Sequence, residues 1–201
     1  SAMDLRLGID LLMDRGAKQV VLGGHSYGTV TAPYYIAETN DARVPGLLLL
    51  AILGDMRRGS MLILGNEERY NAVVEEARKM VAAGKGGEAF IIPPMVPGYM
   101  PMVHTYDIFL DKRGPEARVA PIELIQQVGD RPILGIRDPG DPFPATLPPA
   151  REMLEAANPN LTYILLDDIR EGAMTPTAHG FEDRESEISA LICHWMQGNG
   201  F

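Results

Sequence analysis

The sequence predicts an α/β protein in which a mostly parallel sheet is flanked by helices. Short apolar runs alternate along the chain with segments of helical periodicity, as expected for alternating strands and helices. The apolar runs are not broken up by polar residues, which is typical of parallel strands covered on both faces. The chain has 201 residues, a length that suits one domain of ordinary size. We therefore expect residues 1–201 to form a single domain.

The first predicted pair of elements is a helix followed by a strand. Residues 4–15 are expected to be helical because their apolar side chains share one helical face and Gly16 follows as a stop signal. These apolar residues are Leu5, Ile9, Leu12 and Met13. The run "KQVVLGG", residues 18–24, then predicts a short buried strand.

The second predicted pair is a helix from Ser26 to about Asn40 and the strand "VPGLLLLAILGD", residues 44–55. Pro33 lies inside this helix and removes one backbone donor, so we expect a local distortion there. The strand is a continuous apolar run, which favours the centre of a parallel sheet.

The middle of the chain departs from this alternation. Residues 66–83 are rich in Glu, Arg and Ala and predict a helix. Residues 88–117 follow with five prolines and three methionines, and they interrupt the rhythm of strands and helices.

The alternation resumes in the last third of the chain. The predicted elements are the short helix "PIELIQQV", the strand "RPILGI", the helix "PPAREMLEAAN", the strand "NLTYILLDD" and the amphipathic helix "FEDRESEISALICHWMQ". These segments supply the third and fourth strands of the expected sheet.

Composition and charge exclude several classes of partner. Hydrophobic residues make up 46% of the chain and charged residues 22%, and the formal net charge is −9. This negative balance argues against binding to nucleic acids and against electrostatic attachment to anionic membranes. No apolar stretch is long enough to cross a bilayer. No signal-peptide pattern is present, so we expect a cytoplasmic protein.

Cys193 is the one cysteine of the chain. It permits neither a disulfide within the chain nor a zinc site built from cysteines. Its surroundings, "ALICHW", read as one side of a helix, so we expect a buried structural cysteine.

The most informative motif is a G-x-S-x-G sequence formed by Gly24, His25, Ser26, Tyr27 and Gly28. It lies between a predicted strand and a predicted helix, the context that a nucleophile elbow requires. Flanking side chains would clash in so tight a turn, hence the glycines. The turn also places the serine at a helix N-terminus, where N–H groups stabilise an oxyanion.

Two other interpretations of this motif are weaker. An ordinary turn would not explain its position directly after an apolar strand. A dinucleotide-binding loop would need the third glycine of G-x-G-x-x-G, and bulky groups stand here where the pyrophosphate would lie.

A serine nucleophile needs a base that an acid holds in place. The segment "RDPGDPF" after the third strand offers Asp138 and Asp141 as acids. We favour Asp141, which lies in a loop just past the strand end. For Asp138 the alternative role is that of a turn residue bonding its own backbone.

Four histidines compete for the role of the base. His179 is favoured because it lies in the loop after the last strand, just before the final helix. His25 adjoins the serine within the elbow. His194 lies in the middle of the last helix, where we expect it to be a packed or surface residue rather than the base. His104 lies in the proline-rich segment, either touching substrate or as part of a plain lid.

With these three motifs in place, the chain from residue 4 onward resembles the α/β-hydrolase family. The resemblance rests on "GGHSYG", "PILGIRDPGDPF" and "AHGFEDRESEISALICHW", which occur in the family's order of serine, acid and histidine. It implies Ser26 as the nucleophile, Asp141 as the acid and His179 as the base. It also implies that the backbone N–H of Tyr27 is one oxyanion donor.

The resemblance further implies a cap-like insert at residues 57–120 that would line the substrate pocket. The expected substrate-binding residues are His25, Met95, Tyr99, Met102 and His104. Met100 and Phe109 would supply further adaptable apolar contacts. The equally weighted alternative is that the insert's apolar side chains only cover the sheet.

The chain departs from the family pattern before the serine strand. In the family that strand is the fifth of eight, whereas only one helix precedes it here. The sequence therefore predicts the C-terminal half of an α/β-hydrolase fold, an N-terminally truncated member, without the loop that normally supplies the second oxyanion donor.

This departure has a consequence for assembly. Without its usual neighbour, the strand "KQVVLGG" would lie at the edge of the sheet with unpaired backbone groups and apolar side chains. We therefore expect a homo-oligomer, most simply a two-fold dimer that buries this side of the sheet.

The function expected from these residues is that of a serine hydrolase, esterase-like, on a small carboxylic ester or a similar acyl substrate. No metal and no organic cofactor is implied. The alternative is a hydrolase-like scaffold with weak or absent turnover that binds a small apolar ligand or a protein partner. The complete set of serine, acid and histidine favours the enzyme, and the absent strands favour the binding protein.

Overall fold

The computed structural model describes residues 2–92, 101–141, 151–167 and 176–201. They form two compact units. The first contains the described residues among Ser1–Leu53, Pro121–Phe143 and Pro148–Phe201, and the second those among Gly54–Ala120 and Pro144–Leu147. The predicted insert, residues 57–120, falls within the second unit.

The helices and strands follow each other in the order α1 (Ala2–Asp14), β1 (Leu22–His25), α2 (Gly28–Thr39), β2 (Leu47–Leu50), α3 (Met56–Leu64), α4 (Glu67–Ala82), β3 (Ala89–Ile92), β4 (Met102–Thr105), α5 (Tyr106–Arg113), α6 (Pro121–Ile125), β5 (Ile133–Arg137), α7 (Arg151–Ala157), β6 (Leu161–Leu165), α8 (Pro176–His179) and α9 (Glu185–Gly198).

The first unit is built on a sheet of four described strands in the order β1-β2-β5-β6. All three pairings are parallel. The register brings Leu22 opposite Leu47, Leu47 opposite Ile133, and Ile133 opposite Leu161. The predicted parallel sheet with flanking helices is thereby confirmed.

Both faces of the central strands β2 and β5 are covered, which explains their nearly unbroken apolar runs. Successive side chains of β2 point to opposite faces. Leu47 and Leu49 therefore join a core shared with α1, α2 and α7, whereas Leu48 and Leu50 pack against a second core that includes residues of α9. Leu47 and Leu49 are fully buried.

The strand β1 lies at one edge of the described sheet, and α1 is in the same unit. The α1 residues Met3, Leu7 and Leu11 are 72%, 62% and 50% exposed. Because residues four apart share a helical face, these three form an apolar stripe, which we call the α1 stripe.

The sequence-based choice of the buried face of α1 was partly wrong. Leu5, Ile9 and Met13 pack into the core at a spacing of four residues. Leu12 was expected beside them but is 44% exposed, because it is one position out of phase with that spacing.

A charged cluster ties α1 to the turn between α2 and β2. Arg43 pairs with Asp41 at 2.7 Å and with Asp10 at 2.5 Å. Tyr35 also donates a hydrogen bond to Asp41. The hydrogen bonds from Arg43 hold the pKa of the Asp41 carboxyl well below its usual range, so this carboxylate stays ionised at neutral pH.

The described residues of the second unit form three helices and a hairpin. β3 and β4 pair antiparallel, with Phe90 opposite His104 and Ile91 opposite Val103. The core lies among α4, the hairpin and α5, and it includes Tyr70, Val74, Ala77, Ile92, Tyr106 and Phe109. The sequence predicted α4 but not α3, the hairpin or α5.

The final helix differs from expectation at its cysteine. Ile188 and Trp195 of α9 are buried, whereas Cys193 is exposed. The expectation of a buried Cys193 was wrong. The buried residues of α9 lie on one face of the helix, and Cys193 lies outside that face. Among the described helices, none combines the length and apolar character needed to span a membrane.

Candidate active site

Ser26 directly follows β1 and precedes α2, in the turn that the motif predicted. Its φ is +56°, a left-handed backbone conformation that residues other than glycine rarely adopt. Such strain is kept where the surrounding structure imposes it, commonly at functional sites. The turn presents Ser26 at the carboxyl end of a parallel strand, where ligands of open α/β sheets bind.

The two glycines of the motif have different roles. A Cβ atom on Gly24 would lie 2.2 Å from the carbonyl oxygen of Gly28 and 2.4 Å from its carbonyl carbon. Gly24 is therefore required by a close approach of backbone to backbone. A Cβ on Gly28 would meet no heavy atom within 4 Å, so the expectation that sterics require both glycines was wrong for Gly28.

Thr29 supports the turn through two hydrogen bonds of its hydroxyl group. It is fully buried, and its hydroxyl donates to the carbonyl oxygen of Ser26 at 2.7 Å. The same hydroxyl accepts a hydrogen bond from the Leu53 N–H at 3.1 Å. The elbow is thus fixed to the segment after β2, a support that the sequence analysis missed because a threonine in a helical stretch carries no distinctive signal.

Ser26, His179 and Asp141 form one hydrogen-bonded chain. The Nε2 atom of His179 lies 2.9 Å from the Ser26 Oγ, and its Nδ1 atom lies 2.9 Å from the Asp141 Oδ2. A carboxylate only accepts, so Nδ1 carries the proton and Nε2 accepts from the serine hydroxyl. The structure thus brings together the three residues that the sequence assigned as nucleophile, base and acid.

The carboxylate of Asp141 lies in a buried, positively charged setting. Its side chain is 0% exposed, and that of Arg137, at the end of β5, is 7% exposed. Arg137 Nη1 lies 3.5 Å from the Asp141 Oδ2 and donates to the carbonyl oxygen of Ile52 at 3.2 Å. Arg137 thus compensates the buried charge of Asp141, which the sequence analysis did not foresee.

Asp138 has the turn role that was its alternative. Its Oδ1 accepts from the Gly140 N–H at 2.7 Å, and its Oδ2 lies 3.3 Å from Arg184 Nη1. These contacts fix the loop that carries Asp141, because the Asp141 N–H in turn donates to the Asp138 carbonyl at 3.2 Å.

His25 lies against His179. Its Nε2 atom is 2.7 Å from the backbone carbonyl oxygen of His179, and the two ring centroids are 5.0 Å apart. Phe181 approaches the His25 ring edge-on at 6.2 Å. Phe181 and Asp183 both have positive φ, +56° and +63°, so the loop after His179 is tightly bent.

Tyr27 is the N-cap residue of α2 and immediately follows Ser26. Its carbonyl oxygen accepts from the N–H groups of Val30 and Thr31, at 3.0 and 3.2 Å. The positive end of the helix dipole therefore lies beside the serine. This is the setting in which backbone N–H groups stabilise negative charge.

The other predicted substrate-binding residues belong to the second unit or fall outside the described residues. Met95 and Tyr99, like Met100, are outside them. Met102 and His104 lie on β4. Burial lowers the pKa of the His104 imidazole, with smaller contributions from Arg113 and Lys112, so it favours the neutral ring.

Phe109 is a core residue of the second unit rather than a pocket residue. Its side chain is 0% exposed and contacts the rings of Tyr70 and Phe90. In the part of the chain that the structure describes, no cluster of three or more His, Cys, Asp or Glu side chains could hold a metal ion.

A hydrogen-bonded serine, imidazole and buried carboxylate can carry out nucleophilic acyl transfer. The imidazole can take the hydroxyl proton as the oxygen attacks, and the carboxylate orients and stabilises the resulting imidazolium.

Comparison with known proteins gives matches among solved structures alone, since no protein-family model and no curated protein matches. The structure of DcsB in complex with its substrate analogue has a TM-score of 0.61 at 17% identity, over 98% of this chain and 72% of that one. A thermostable carboxyl esterase from Bacillus coagulans, in complex with glycerol, has a TM-score of 0.59 at 16% identity, over 98% and 70%.

A third match is MGS-MChE2, an α/β-hydrolase enzyme from the metagenome of sediments of the Mar Chica lagoon in Morocco. It has a TM-score of 0.52 at 17% identity, over 100% of this chain and 69% of that one. At identities this low, the likeness of these three structures establishes a shared fold.

Proposed function

We propose that this chain, which has the α/β-hydrolase fold, is a serine hydrolase that acts on a small carboxylic ester or a similar acyl compound. The observation that carries the proposal is the hydrogen-bonded chain from Asp141 through His179 to Ser26. The positive φ of Ser26 supports it, because that strain presents the hydroxyl at the carboxyl end of the sheet.

Acylation begins when His179 Nε2 takes the proton of the Ser26 hydroxyl and the serine Oγ attacks the acyl carbon. The carbonyl oxygen becomes an oxyanion, which the Tyr27 N–H at the start of α2 stabilises. The tetrahedral intermediate then expels the alcohol, which receives the proton from His179, and an acyl-serine ester remains.

Deacylation repeats these steps with water as the nucleophile. His179 takes a proton from water, whose oxygen attacks the acyl-serine carbon. The acid leaves as Ser26 regains its proton from His179. Asp141 holds the Nδ1 proton of His179 throughout, and it stabilises the imidazolium that forms when Nε2 is also protonated.

The oxyanion donor named in this proposal is the backbone N–H of Tyr27, at the start of α2. Loss of one of two oxyanion donors costs about 100- to 1000-fold in turnover. The nucleophile can be tested separately from turnover, because an activated serine reacts with strong electrophiles.

The activated serine is tested with a fluorophosphonate probe. The wild-type protein should be labelled at Ser26, because His179 makes its hydroxyl nucleophilic, and Ser26→Ala should not be labelled. Mass spectrometry of the modified peptide identifies the site, and hydrolysis of esters of increasing acyl length measures substrate preference.

A cooperative thermal transition serves as the control that both proteins are folded. A folded wild-type protein that stays unlabelled would contradict the proposed hydrolase activity. The alternative would then be a binding protein whose ligand is a small apolar molecule or another protein.

The expected homodimer is a separate proposal, supported by the edge position of β1 and by the α1 stripe of Met3, Leu7 and Leu11. Light scattering over a range of concentrations should give twice the monomer mass, and Leu7→Glu should lower it by charging the stripe. Met153→Glu is the matched control, because Met153 is 57% exposed on another helix. A well-folded wild-type monomer at micromolar concentration would refute the dimer.

A further inference from the structure

We infer that His25 is a positioning residue that holds the base of the proposed reaction in place through its backbone. The inference rests on the proposed function and deepens it. It assigns the residue just before the nucleophile to the loop of the base rather than to the substrate.

The contact is a hydrogen bond at the end of a short helix. His179 is the last residue of α8. The backbone carbonyls of the last turn of a helix have no hydrogen-bond partner within that helix. Those of Thr177 and Ala178 accept from backbone N–H groups of the following bend. The carbonyl of His179 instead lies 2.7 Å from His25 Nε2.

This contact defines the tautomer of His25. A carbonyl oxygen can only accept, so His25 Nε2 must carry the hydrogen and donate it. Phe181 packs edge-on against the same ring, which limits its rotation.

The hydrogen bond closes a ring with the serine–histidine contact. Ser26 and His25 are adjacent in the chain, and both reach His179, one through its Nε2 at 2.9 Å and the other through its carbonyl at 2.7 Å. The elbow that carries them is rigid, since Gly24 admits no Cβ and Ser26 is held at positive φ. The two contacts together fix both the distance and the orientation between the base and the nucleophile.

Solvent cannot replace this function, although His25 is exposed. A water molecule can satisfy the carbonyl but has no covalent link to the elbow. Loss of the donor would thus leave the carbonyl hydrated and the loop of His179 less constrained, and small misplacements of a reacting group cost large factors in rate.

The test compares two substitutions at position 25. His25→Phe keeps an aromatic ring for Phe181 but removes the donor, whereas His25→Gln keeps an N–H donor near the position of Nε2. We expect His25→Phe to slow labelling of Ser26 by about tenfold and His25→Gln to restore most of the rate. His194→Phe, an exposed histidine on α9, is the matched control and should label like the wild type.

Ester kinetics separate positioning from substrate binding. Positioning predicts a lower kcat with an unchanged KM for His25→Phe, and substrate contact predicts a raised KM with kcat retained. A raised KM with kcat retained would overturn the inference. So would labelling of Ser26 in His25→Phe at the rate of a wild-type protein that is itself labelled. Neither result would contradict the proposed hydrolase.

A readout independent of activity distinguishes failure of the two proposals. In spectra of the protein with ¹⁵N-labelled histidine, at a pH where the imidazoles are neutral, His25 should be protonated at Nε2. An Nδ1–H tautomer would overturn the inference whether or not Ser26 is reactive. An unreactive wild-type serine would contradict the hydrolase alone.

Discussion

Replacing Asp141 with asparagine is expected to slow the reaction of Ser26 by about 10⁴-fold while the chain still folds. The neutral amide no longer favours the imidazole tautomer with its proton on Nδ1. With the proton on Nε2, His179 cannot accept from the serine hydroxyl 2.9 Å away. The rate of fluorophosphonate labelling measures the effect. Thermal unfolding reports the separate cost of leaving Arg137 without its partner charge.

Asp138→Asn is the matched control for this substitution. Both aspartates are buried and lie in the same loop. The asparagine oxygen can still accept from the Gly140 N–H, as Asp138 Oδ1 does at 2.7 Å, and only the ion pair with Arg184 is lost. We expect labelling to stay close to wild type, and a larger effect at Asp138 than at Asp141 would show that the acid is wrongly assigned.

Gly24→Ala is expected to destabilise the fold by about 3 kcal/mol and to abolish labelling of Ser26. The added Cβ would lie 2.2 Å from the Gly28 carbonyl oxygen. The position of a Cβ is fixed by its own backbone and the atom it meets is a backbone oxygen, so no rotamer change relieves the clash and the elbow must open. Chemical denaturation measures the loss in the free energy of unfolding.

Gly28→Ala is its control, with the same chemical change four residues further on. Its Cβ would meet no heavy atom within 4 Å, and alanine favours a helix over glycine by about 1 kcal/mol. We expect stability equal to or slightly above that of the wild type, with labelling retained. Equal damage from both substitutions would mean that the elbow geometry does not depend on the approach at Gly24.

The centre of the sheet could be predicted because β2 and β5 are short, nearly unbroken apolar runs. Leu47 to Leu50 carry that signal in four consecutive leucines. The hairpin β3–β4 lacks it, because Ile91 and Val103 are 67% and 63% exposed and prolines lie between the two strands. Its pairing depends on contacts within the second unit that no local pattern encodes.

The serine and the acid could be singled out because each follows an apolar strand in a turn of small or turn-forming residues. The histidine could be singled out because it lies between the last strand and the final helix, where the structure has the short helix α8. Arg137 could not, because an arginine at the end of a strand looks like any surface charge. Arg137 is buried beside the carboxylate of Asp141, which lies four residues later in the chain. The role of His25 was equally hidden, since its partner is a backbone atom 154 residues away.

The sheet order also sets the sequence in which the molecule can fold as it is synthesised. β2 pairs with β5, yet most of the second unit lies between them in the chain. Until β5 leaves the ribosome, β2 lacks a neighbour on one side, and its leucines depend on transient cover. The second unit can meanwhile collapse from local contacts, which form faster than distant strand pairs. Ser26 therefore cannot meet its base until His179, 153 residues further along the chain, has been synthesised.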